Sequence, residues 1–436
     1  MLEVAALDDE GRGVATHDAR SVHVPGALPG ERAEVIIEHA SAHRAESFGR
    51  LVALASSSSE RVAPVCPATG RCGGCPLGIL SYDAQLAYKQ RRLETWLESV
   101  FVSVEGMTPS PRATAYRCQS KMVYGRTRHG KHPCLGAYAP RSHAVVDLAG
   151  CKVVEPVLDE VRGALLAALL ERNVTPYDEV EHDGVLSYVV LRANAEGEVL
   201  ATFVGPDIAA LASLAPLIDV HPAIVGIAAN QRPLGNAIFG RTTSALAGRA
   251  ELEERVGAIL IRLSPTAFFQ VNRGIAAAMY AEIARALVTT KHGLVVDAYA
   301  GVGGIALTLA HAGAEVVGVE VNAAAVADAQ RAALAQSLSA RFMVDDAARG
   351  LATIAKTSLV DAVVVNPPRR GLDRAMLDAL VVAKPARLAY VSCDPQTLVR
   401  DLHALGAQGL RPFRIRGFDM HPQTPHIETL ALLTRE

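Results

Sequence analysis

A cysteine in a strand-to-helix turn is the side chain of this sequence best suited to nucleophilic chemistry. The apolar run 387–391 predicts a buried strand, the turn Cys393-Asp394-Pro395 follows it, and 397–405 predicts a helix. In an open α/β sheet, ligands and reacting side chains collect where strands end. A thiolate exposed by such a turn suits a nucleophile, whereas most free cysteines are small buried hydrophobes. On this stretch alone the two interpretations are balanced.

Three further cysteines lie close together in a Gly- and Pro-rich stretch: Cys66, Cys72 and Cys75. Thiolates on a tight turn bind a soft metal, either zinc or an iron–sulfur cluster. Such a site needs a fourth ligand, and Cys151, which follows an apolar run and a turn, is the best candidate. The rivals for that place are Cys118 and Cys134.

Composition limits the class of protein. The chain has 436 residues, a formal net charge of -2 and seven cysteines. This length predicts two to four domains, and the charge gives no global sign of a nucleic-acid partner. An odd cysteine count argues against a disulfide framework and towards metal binding or catalysis. No signal peptide and no apolar run of membrane-spanning length is visible, so we expect a cytoplasmic protein without a membrane partner. No obligate protein partner is evident.

The order of predicted elements suggests three domains: 1–60, 61–262 and 263–436. Short β-like runs in the first range, at 2–7, 21–24, 32–38 and 48–54, predict a small barrel. The second range predicts an α+β domain that carries the clustered cysteines. It begins with an amphipathic helix, 81–100, which has Leu93 on its apolar side and Lys89 on the other. From Leu263 onwards, strands alternate with helices, which predicts a parallel sheet.

A basic stretch lies in the middle range. Residues 106–146 contain no acidic side chain. Basic side chains that reach phosphates, interleaved with tyrosines that stack on bases, indicate a local nucleic-acid surface. The alternative is a solvated hairpin face. The candidate RNA contacts here are Arg117, Lys121, Arg126 and Arg128.

A glycine-rich turn follows the first strand of the last range. Gly301 and Gly303 allow a ligand to approach the backbone at a helix N-terminus. Glu320 ends the next strand, where a carboxylate can accept both ribose hydroxyls of a nucleoside cofactor. Glycine spacing alone also fits a nicotinamide site. The acidic Asp297 before the turn and the sequence Asn366-Pro367-Pro368 after the fourth strand favour S-adenosylmethionine.

Together these motifs resemble the RNA uracil-5-methyltransferase family, over nearly the whole chain. The resemblance implies an α/β fold: a class I S-adenosylmethionine-dependent methyltransferase (Rossmann-like) domain with an N-terminal TRAM-type β-barrel and a central α+β domain. The [4Fe–4S] ligands of the family are matched by Cys66, Cys72, Cys75 and Cys151. The segments that match family motifs are Phe268-Phe269-Gln270-Val271-Asn272, Ser392-Cys393-Asp394 and His426-Ile427-Glu428-Thr429.

By this resemblance, Cys393 would add to carbon 6 of uracil and Glu428 would be the general base. Phe268 would contact the RNA substrate. The residues expected at the cofactor are Gln270, Tyr299, Gly301, Gly303, Glu320, Asp346 and Asn366. Several family members have Asp where this chain has Asn366, so this contact carries no charge here.

The resemblance leaves the RNA open: 23S rRNA is favoured, and tRNA is the alternative. Two other readings compete with it. One is an amino-methyltransferase, although Arg369 stands where those enzymes usually place an aromatic side chain. The other is a non-catalytic RNA-binding protein whose fold is stabilised by zinc.

Overall fold

The computed structural model describes residues 1–100, 102–128, 130, 132–233, 235, 237–288 and 293–436. Within these residues, no helix combines the length and the apolar composition that crossing a membrane requires.

Five strands at the N-terminus close into a barrel, in the order β1-β2-β3-β5-β4, with β1 also paired to β4. The predicted small barrel is therefore confirmed, with one strand, β2, that the sequence did not indicate. Its interior is small and is filled mainly by Val4, Val22 and Val24. The strands are β1 (Leu2–Leu7), β2 (Gly13–His17), β3 (Arg20–Val24), β4 (Arg32–Ala40) and β5 (Glu46–Ser56).

The next elements are helix α1 (Tyr82–Leu97) and strand β6 (Val104–Thr108). Ser81 caps α1 by accepting a hydrogen bond from the backbone N–H of Ala84. The helix itself is confirmed, but the expectation that Lys89 faces solvent is wrong. Its side chain is fully buried, because it forms an ion pair inside the protein that offsets the loss of hydration.

A seven-stranded sheet forms the centre of the chain, in the order β13-β12-β11-β10-β7-β8-β9. Helices α2 and α3 accompany it, and the side chains of α2 pack into the same apolar core as strands β10 and β11. The members of this unit are β7 (Gln119–Arg126), β8 (Pro133–Tyr138), β9 (Val145–Asp147), α2 (Pro156–Glu171), β10 (Tyr188–Ala193), β11 (Val199–Gly205), α3 (Ile208–Leu211), β12 (Ile224–Gln231) and β13 (Thr243–Gly248).

A hairpin, β14 (Leu252–Val256) and β15 (Ile259–Leu263), leads into the C-terminal α/β unit. Its elements are α4 (Arg273–Leu287), β16 (Leu294–Asp297), α5 (Gly304–His311), β17 (Glu315–Glu320), α6 (Ala323–Ala335), β18 (Ala340–Val344), α7 (Ala347–Ala355), β19 (Ala362–Val365), α8 (Arg374–Ala383), β20 (Arg387–Ser392), α9 (Pro395–Gly406), β21 (Leu410–Phe418) and β22 (Glu428–Arg435).

The C-terminal sheet has eight strands in the order β18-β17-β16-β19-β20-β22-β21-β6. Strands β16 to β20 run parallel, and β22 runs antiparallel to both β20 and β21. The chain leaves β16 towards β17 and later returns to β19 on its other side, so the sheet has a topological switch point there. Two apolar cores cover its faces. The predicted α/β class with a Rossmann-like sheet is confirmed.

The division into 1–60, 61–262 and 263–436 stays a proposal. Helix α1 and strand β6 fall within the second range by number, but Leu93 and Leu97 of α1 belong to an apolar core of the C-terminal sheet. Strand β6 is the edge strand of that sheet and pairs with β21. The segment before the central sheet is therefore bound to the C-terminal unit.

Candidate active site

Two reactive side chains lie side by side at one edge of the C-terminal sheet. Strand β20 ends at Ser392, which pairs with Thr429 near the start of the antiparallel strand β22. Cys393 directly follows Ser392, and Glu428 directly precedes Thr429, so the two lie at the same end of this strand pair. The two are close enough that the negative charge of Glu428 adds to burial in raising the pKa of the Cys393 thiol.

The turn after β20 holds the cysteine at a helix N-terminus. Asp394 caps α9 by accepting a hydrogen bond of 3.0 Å from the backbone N–H of Thr397, and Pro395 occupies the first turn. The Ser392 hydroxyl accepts a hydrogen bond of 3.2 Å from the backbone N–H of Asp394. The positive end of a helix dipole stabilises a nearby thiolate, which partly offsets the effect of burial on Cys393.

Glu428 is almost completely enclosed, with 4% of its surface exposed. Burial disfavours the charged form and raises the pKa of its carboxyl to about 7, while the positive charge of Arg369 opposes this shift. A carboxylate with a pKa near neutrality is suited to accept and release a proton at physiological pH.

Arg369 is exposed and lies among the reactive groups. Its charge lowers the pKa of Cys393, against the effect of burial, and it adds to burial in lowering the pKa of His421 and of His426. The pKa of His421 falls to about 3, so this ring is neutral at pH 7. The sequence predicted no catalytic part for Arg369. Its place directly after the Pro-Pro turn of β19, on the same sheet edge, was the available signal.

The glycine-rich turn and the acidic end of β17 come together as expected. The Glu320 carboxylate accepts hydrogen bonds from the backbone N–H of Gly301, at 3.0 Å, and of Asn322, at 2.8 Å. Gly301 and Gly303 have φ of 53° and 84°, which favours glycine at both positions. A Cβ on Gly301 would meet no atom within 4 Å, so open space lies beside this turn.

The other predicted cofactor residues have varied surroundings. Tyr299 is partly buried, and burial raises the pKa of its hydroxyl to about 12, with Asp346 adding to the shift. Asp346 also caps α7, accepting hydrogen bonds from the backbone N–H groups of two residues in the first turn. Gln270 is buried, and its carbonyl accepts a hydrogen bond of 3.6 Å from the Cys118 thiol. Asn366 is half-buried directly after β19.

Two further buried groups lie near the site: Asp297, whose place before the glycine-rich turn favoured S-adenosylmethionine, and Tyr280, which no motif had indicated. Asp297 is fully buried at the end of β16, and burial raises the pKa of its carboxyl to about 7. The pKa of the Tyr280 hydroxyl on α4 is raised, because the side chain is buried and because Asp297 and Glu428 lie near it. The tyrosine comes from a separate helix, so no spacing in the sequence could have indicated this contact.

The predicted RNA residues are distributed over two units. Phe268 is 71% exposed beside Gln270, and Arg126 and Arg128 are exposed at the end of β7. The Lys121 ammonium lies 5.5 Å from the centre of the Phe239 ring. The charge of Arg117 lowers the pKa of Cys75, against the effect of burial, and adds to burial in lowering the pKa of His421.

Four of the cysteines line one cavity of about 580 Å³ between the barrel and the central sheet: Cys66, Cys72, Cys75 and Cys151. Burial, and then the charge of the Cys151 thiolate, raise the pKa of Cys75 to about 12. The rivals Cys118 and Cys134 are buried and do not line this cavity. Among the residues that the structure describes, no three His, Cys, Asp or Glu side chains are gathered closely enough to hold a metal ion.

Comparison with known proteins identifies relatives along the whole chain. Residues 249–436 match the model of the tRNA (uracil-5-)-methyltransferase family. An uncharacterised RNA methyltransferase of Geobacter sulfurreducens is 35% identical, over 100% of this chain and 90% of its own length. A second one, of Gloeobacter violaceus, is 34% identical over 100% of this chain and 96% of its own length.

A solved structure has the same overall fold. It is the tRNA (uracil-54, C5)-methyltransferase of Pyrococcus abyssi in complex with S-adenosyl-L-homocysteine. This protein is 26% identical, the similarity covers 99% of each chain, and the TM-score is 0.79. The likeness therefore includes the barrel and the central sheet as well as the C-terminal unit.

Proposed function

The chain belongs to the RNA uracil-5-methyltransferase family, and from this premise we propose that it methylates carbon 5 of a uridine in RNA through a covalent adduct of Cys393. The observation that carries the proposal is the pairing of Ser392 with Thr429, which brings the Cys393 thiol and the Glu428 carboxyl to one sheet edge. Carbon 5 of uracil is a poor nucleophile, so the chemistry needs one thiolate and one base beside the same ring.

The cofactor side of the site suits a nucleoside with a bound methyl donor. The Glu320 carboxylate would accept the ribose hydroxyls, and the open space beside Gly301 would admit the ligand to the backbone. Tyr299, Gln270 and Asn366 would complete the binding surface. S-adenosylmethionine supplies an electrophilic methyl group when it is bound. The Pyrococcus abyssi relative, which contains S-adenosyl-L-homocysteine, supports this choice of ligand.

The first step is addition of the Cys393 thiolate to carbon 6 of the uracil. The Sγ–C6 bond forms, and the electrons of the C5–C6 double bond move towards oxygen 4 as an enolate. Burial raises the pKa of the thiol, so the thiolate needs stabilisation. The Arg369 charge and the N-terminus of α9 both provide it. Carbon 5 of this enolate could then take the methyl group of bound S-adenosylmethionine, and the carbon–sulfur electron pair would stay with the departing sulfur.

The second step restores the ring. Glu428 removes the proton from carbon 5, the C–H electrons form the C5–C6 double bond, and the C6–Sγ bond breaks with its electrons returning to Cys393. A carboxyl with a pKa of about 7 takes this proton and gives it to solvent at neutral pH. The products are 5-methyluridine, the demethylated cofactor and one proton.

RNA would enter over the exposed Phe268 and the basic residues of the central unit. The target base must leave its stack, which costs a few kcal/mol, and an exposed aromatic side chain can stack on a neighbouring base. Arg126 and Arg128 are exposed and available to phosphates. Arg117 and Lys121 line the cysteine cavity. We propose the cytoplasm as the place of action.

We propose 23S rRNA as the substrate, since the barrel together with the cysteine motif favours the ribosomal branch of the family. A second candidate is tRNA, because the similar Pyrococcus abyssi enzyme is a tRNA methyltransferase.

We also propose that Cys66, Cys72, Cys75 and Cys151 hold a [4Fe–4S] cluster. Four thiol sulfurs around one cavity are the donor set that iron–sulfur clusters take. Methyl transfer needs no electron from the cluster. The four cysteines would therefore stabilise their own loop or the surface that contacts RNA. Iron and sulfide analysis of the purified protein checks this, and a colourless protein that contains zinc would contradict it.

The experiment that tests the proposed function is transfer of labelled methyl to unmodified total RNA that is separated by size. Wild type is compared with Cys393→Ala and with Cys134→Ala, a buried cysteine of the central sheet that serves as the matched control. We expect 5-methyluridine with wild type and the control only. Label in large or small RNA decides between the two substrates. Full activity of Cys393→Ala would refute the covalent mechanism and favour an amino-methyltransferase.

A further inference from the structure

The segment that precedes Glu428 is held mainly from outside the C-terminal unit. Residues 419–427, here called the base segment, connect β21 to Glu428 at the start of β22. Glu428 is itself the first residue of β22 and pairs with Phe418 of β21, so the base segment determines how the chain enters that strand at the carboxyl. These contacts come from α1, from residues 66–78, here called the cysteine loop, and from Thr108, Ala113 and Tyr116.

Gln423 makes the most of these contacts. It is buried, and its backbone has φ of 69°, a left-handed conformation that is unfavourable for a residue other than glycine. Its backbone N–H donates to Gln85 Oε1 at 2.9 Å, and its Oε1 accepts from Gln85 Nε2 at 3.0 Å. Its Nε2 donates to the carbonyl of Ala113 at 3.0 Å. All these partners lie outside the base segment, so they hold the strained residue in place.

The cysteine loop is joined to the same residue. The backbone N–H of Leu77 donates to the carbonyl of Gln423 at 3.0 Å. Leu77 is two residues after Cys75, and the Cys75 carbonyl closes the turn by accepting from the N–H of Gly78 at 3.0 Å. Gln85 also donates to the carbonyl of Leu77 at 3.1 Å. Cys75 is therefore connected to Gln423 by one short turn of the chain and one backbone hydrogen bond, that from Leu77.

The flanks of the base segment are anchored to α1. The Lys89 ammonium donates to Asp419 Oδ1 at 2.5 Å and to the carbonyl of His421 at 3.0 Å, and both charged side chains are fully buried. Arg92 donates to the carbonyl of Pro425 at 2.7 Å. These anchors do not involve the cysteine loop. Among the described residues, the direct hydrogen bond between that loop and the base segment is the one from Leu77 to Gln423.

Cys393 is held differently. It follows β20 in the sheet, and the cap of α9 is made by Asp394 and Thr397 within its own turn. A disturbance of the cysteine loop should therefore displace Glu428 and leave the nucleophile in place.

We propose that Gln423 is a positioning residue that couples the cysteine loop to the general base, so that the integrity of the cysteine loop sets the rate of proton removal from carbon 5. The inference rests on the proposed function. A displaced base slows only the second step, since addition and methyl transfer do not need proton removal from carbon 5. The methylated adduct should then accumulate with an ordinary uridine substrate, and a displacement of about 1 Å would slow turnover about 100-fold.

The test compares wild type with Gln423→Gly, which keeps the left-handed backbone and the carbonyl that accepts from Leu77 but removes the side-chain hydrogen bonds to Gln85 and Ala113 that orient this carbonyl. Gln336→Ala is the matched control, because Gln336 also makes three hydrogen bonds, but between β15 and α6. Glu428→Gln serves as the reference for a lost base. The measurements are RNA affinity, turnover, and the fraction of protein joined to RNA on a denaturing gel, all with unmodified uridine RNA.

We expect Gln423→Gly to bind RNA like wild type, to turn over about 100-fold more slowly and to accumulate adduct as Glu428→Gln does. Cys75→Ser should show the same adduct. Wild-type turnover in Gln423→Gly, or slow turnover without adduct, would overturn the coupling. If Glu428→Gln itself accumulated no adduct while wild type methylated RNA, the proposed base would be refuted, and this outcome is separate from the failure of the coupling.

Discussion

Replacing Glu428 with glutamine should stabilise the protein while it abolishes turnover, and the gain should depend on pH. Burial raises the pKa of this carboxyl from 4.5 to about 7. Below pH 4.5 both the folded and the unfolded states are protonated, so the carboxyl has no effect on stability. Between pH 4.5 and 7 the unfolded state releases its proton first, and wild type loses stability as the pH rises. A difference of roughly 2.5 between the two pKa values corresponds to about 3 kcal/mol above pH 7.

The assay is urea unfolding of wild type and Glu428→Gln at pH 5 and at pH 8.5. Glutamine keeps the shape and removes the charge, so we expect a gain below about 1 kcal/mol at pH 5 and of about 3 kcal/mol at pH 8.5. Glu315→Gln, an exposed carboxyl at the start of β17, is the matched control and should show no pH-dependent gain. A gain that is equal at the two pH values, or a loss at pH 8.5, would refute the assignment of the raised pKa to Glu428.

Three further predictions concern charged groups around the site. Arg369→Gln removes a charge that lowers the pKa of Cys393. Formation of the adduct with 5-fluorouridine RNA should therefore slow about tenfold at pH 7 and recover at higher pH. An unchanged pH profile of adduct formation would contradict this. Lys89→Met leaves the buried Asp419 carboxylate without its charged partner. It should lower the free energy of unfolding by about 3–5 kcal/mol in urea titrations, and wild-type stability would refute a stabilising role of this ion pair. Replacing Arg126 and Arg128 by alanine should reduce the salt dependence of RNA binding, as the slope of log affinity against log salt, by about 1.5, and an unaltered slope would exclude phosphate contacts there.

Local patterns were sufficient to predict most of the fold. The barrel strands other than β2, helix α1 and the alternating C-terminal unit have short β-like runs or helical periodicity that tertiary contacts did not override. The exceptions have a physical cause. Strand β2, Gly13–His17, is short and contains glycine, so its pairing in the closed barrel decides its conformation. Lys89 looked like a solvated residue because its partner, Asp419, comes from a distant part of the chain.

In the candidate site, too, some features follow from local sequence and others from contacts between distant segments. The Cys393 turn carries its own signals, a strand end and an Asp-Pro helix cap, and the sequence alone was enough to identify it. Glu428 was named through a motif, and its raised pKa depends on burial that no local pattern encodes. The sequence did not indicate that Arg369 and Tyr280 lie beside Cys393 and Glu428, because only the folded sheet and helix α4 place them there.

What the sequence by itself determined is therefore the set of reactive residue types and the strands, turns and helices that carry them. These follow from local periodicity, turn chemistry and capping, which act over a few residues. Only the tertiary structure decided which of these residues meet. The antiparallel register of β20 and β22 places Cys393 beside Glu428, and the hydrogen bonds of Gln423 join the base segment to the cysteine loop. Such contacts depend on burial and on pairing between distant segments, and both arise only when the chain has folded.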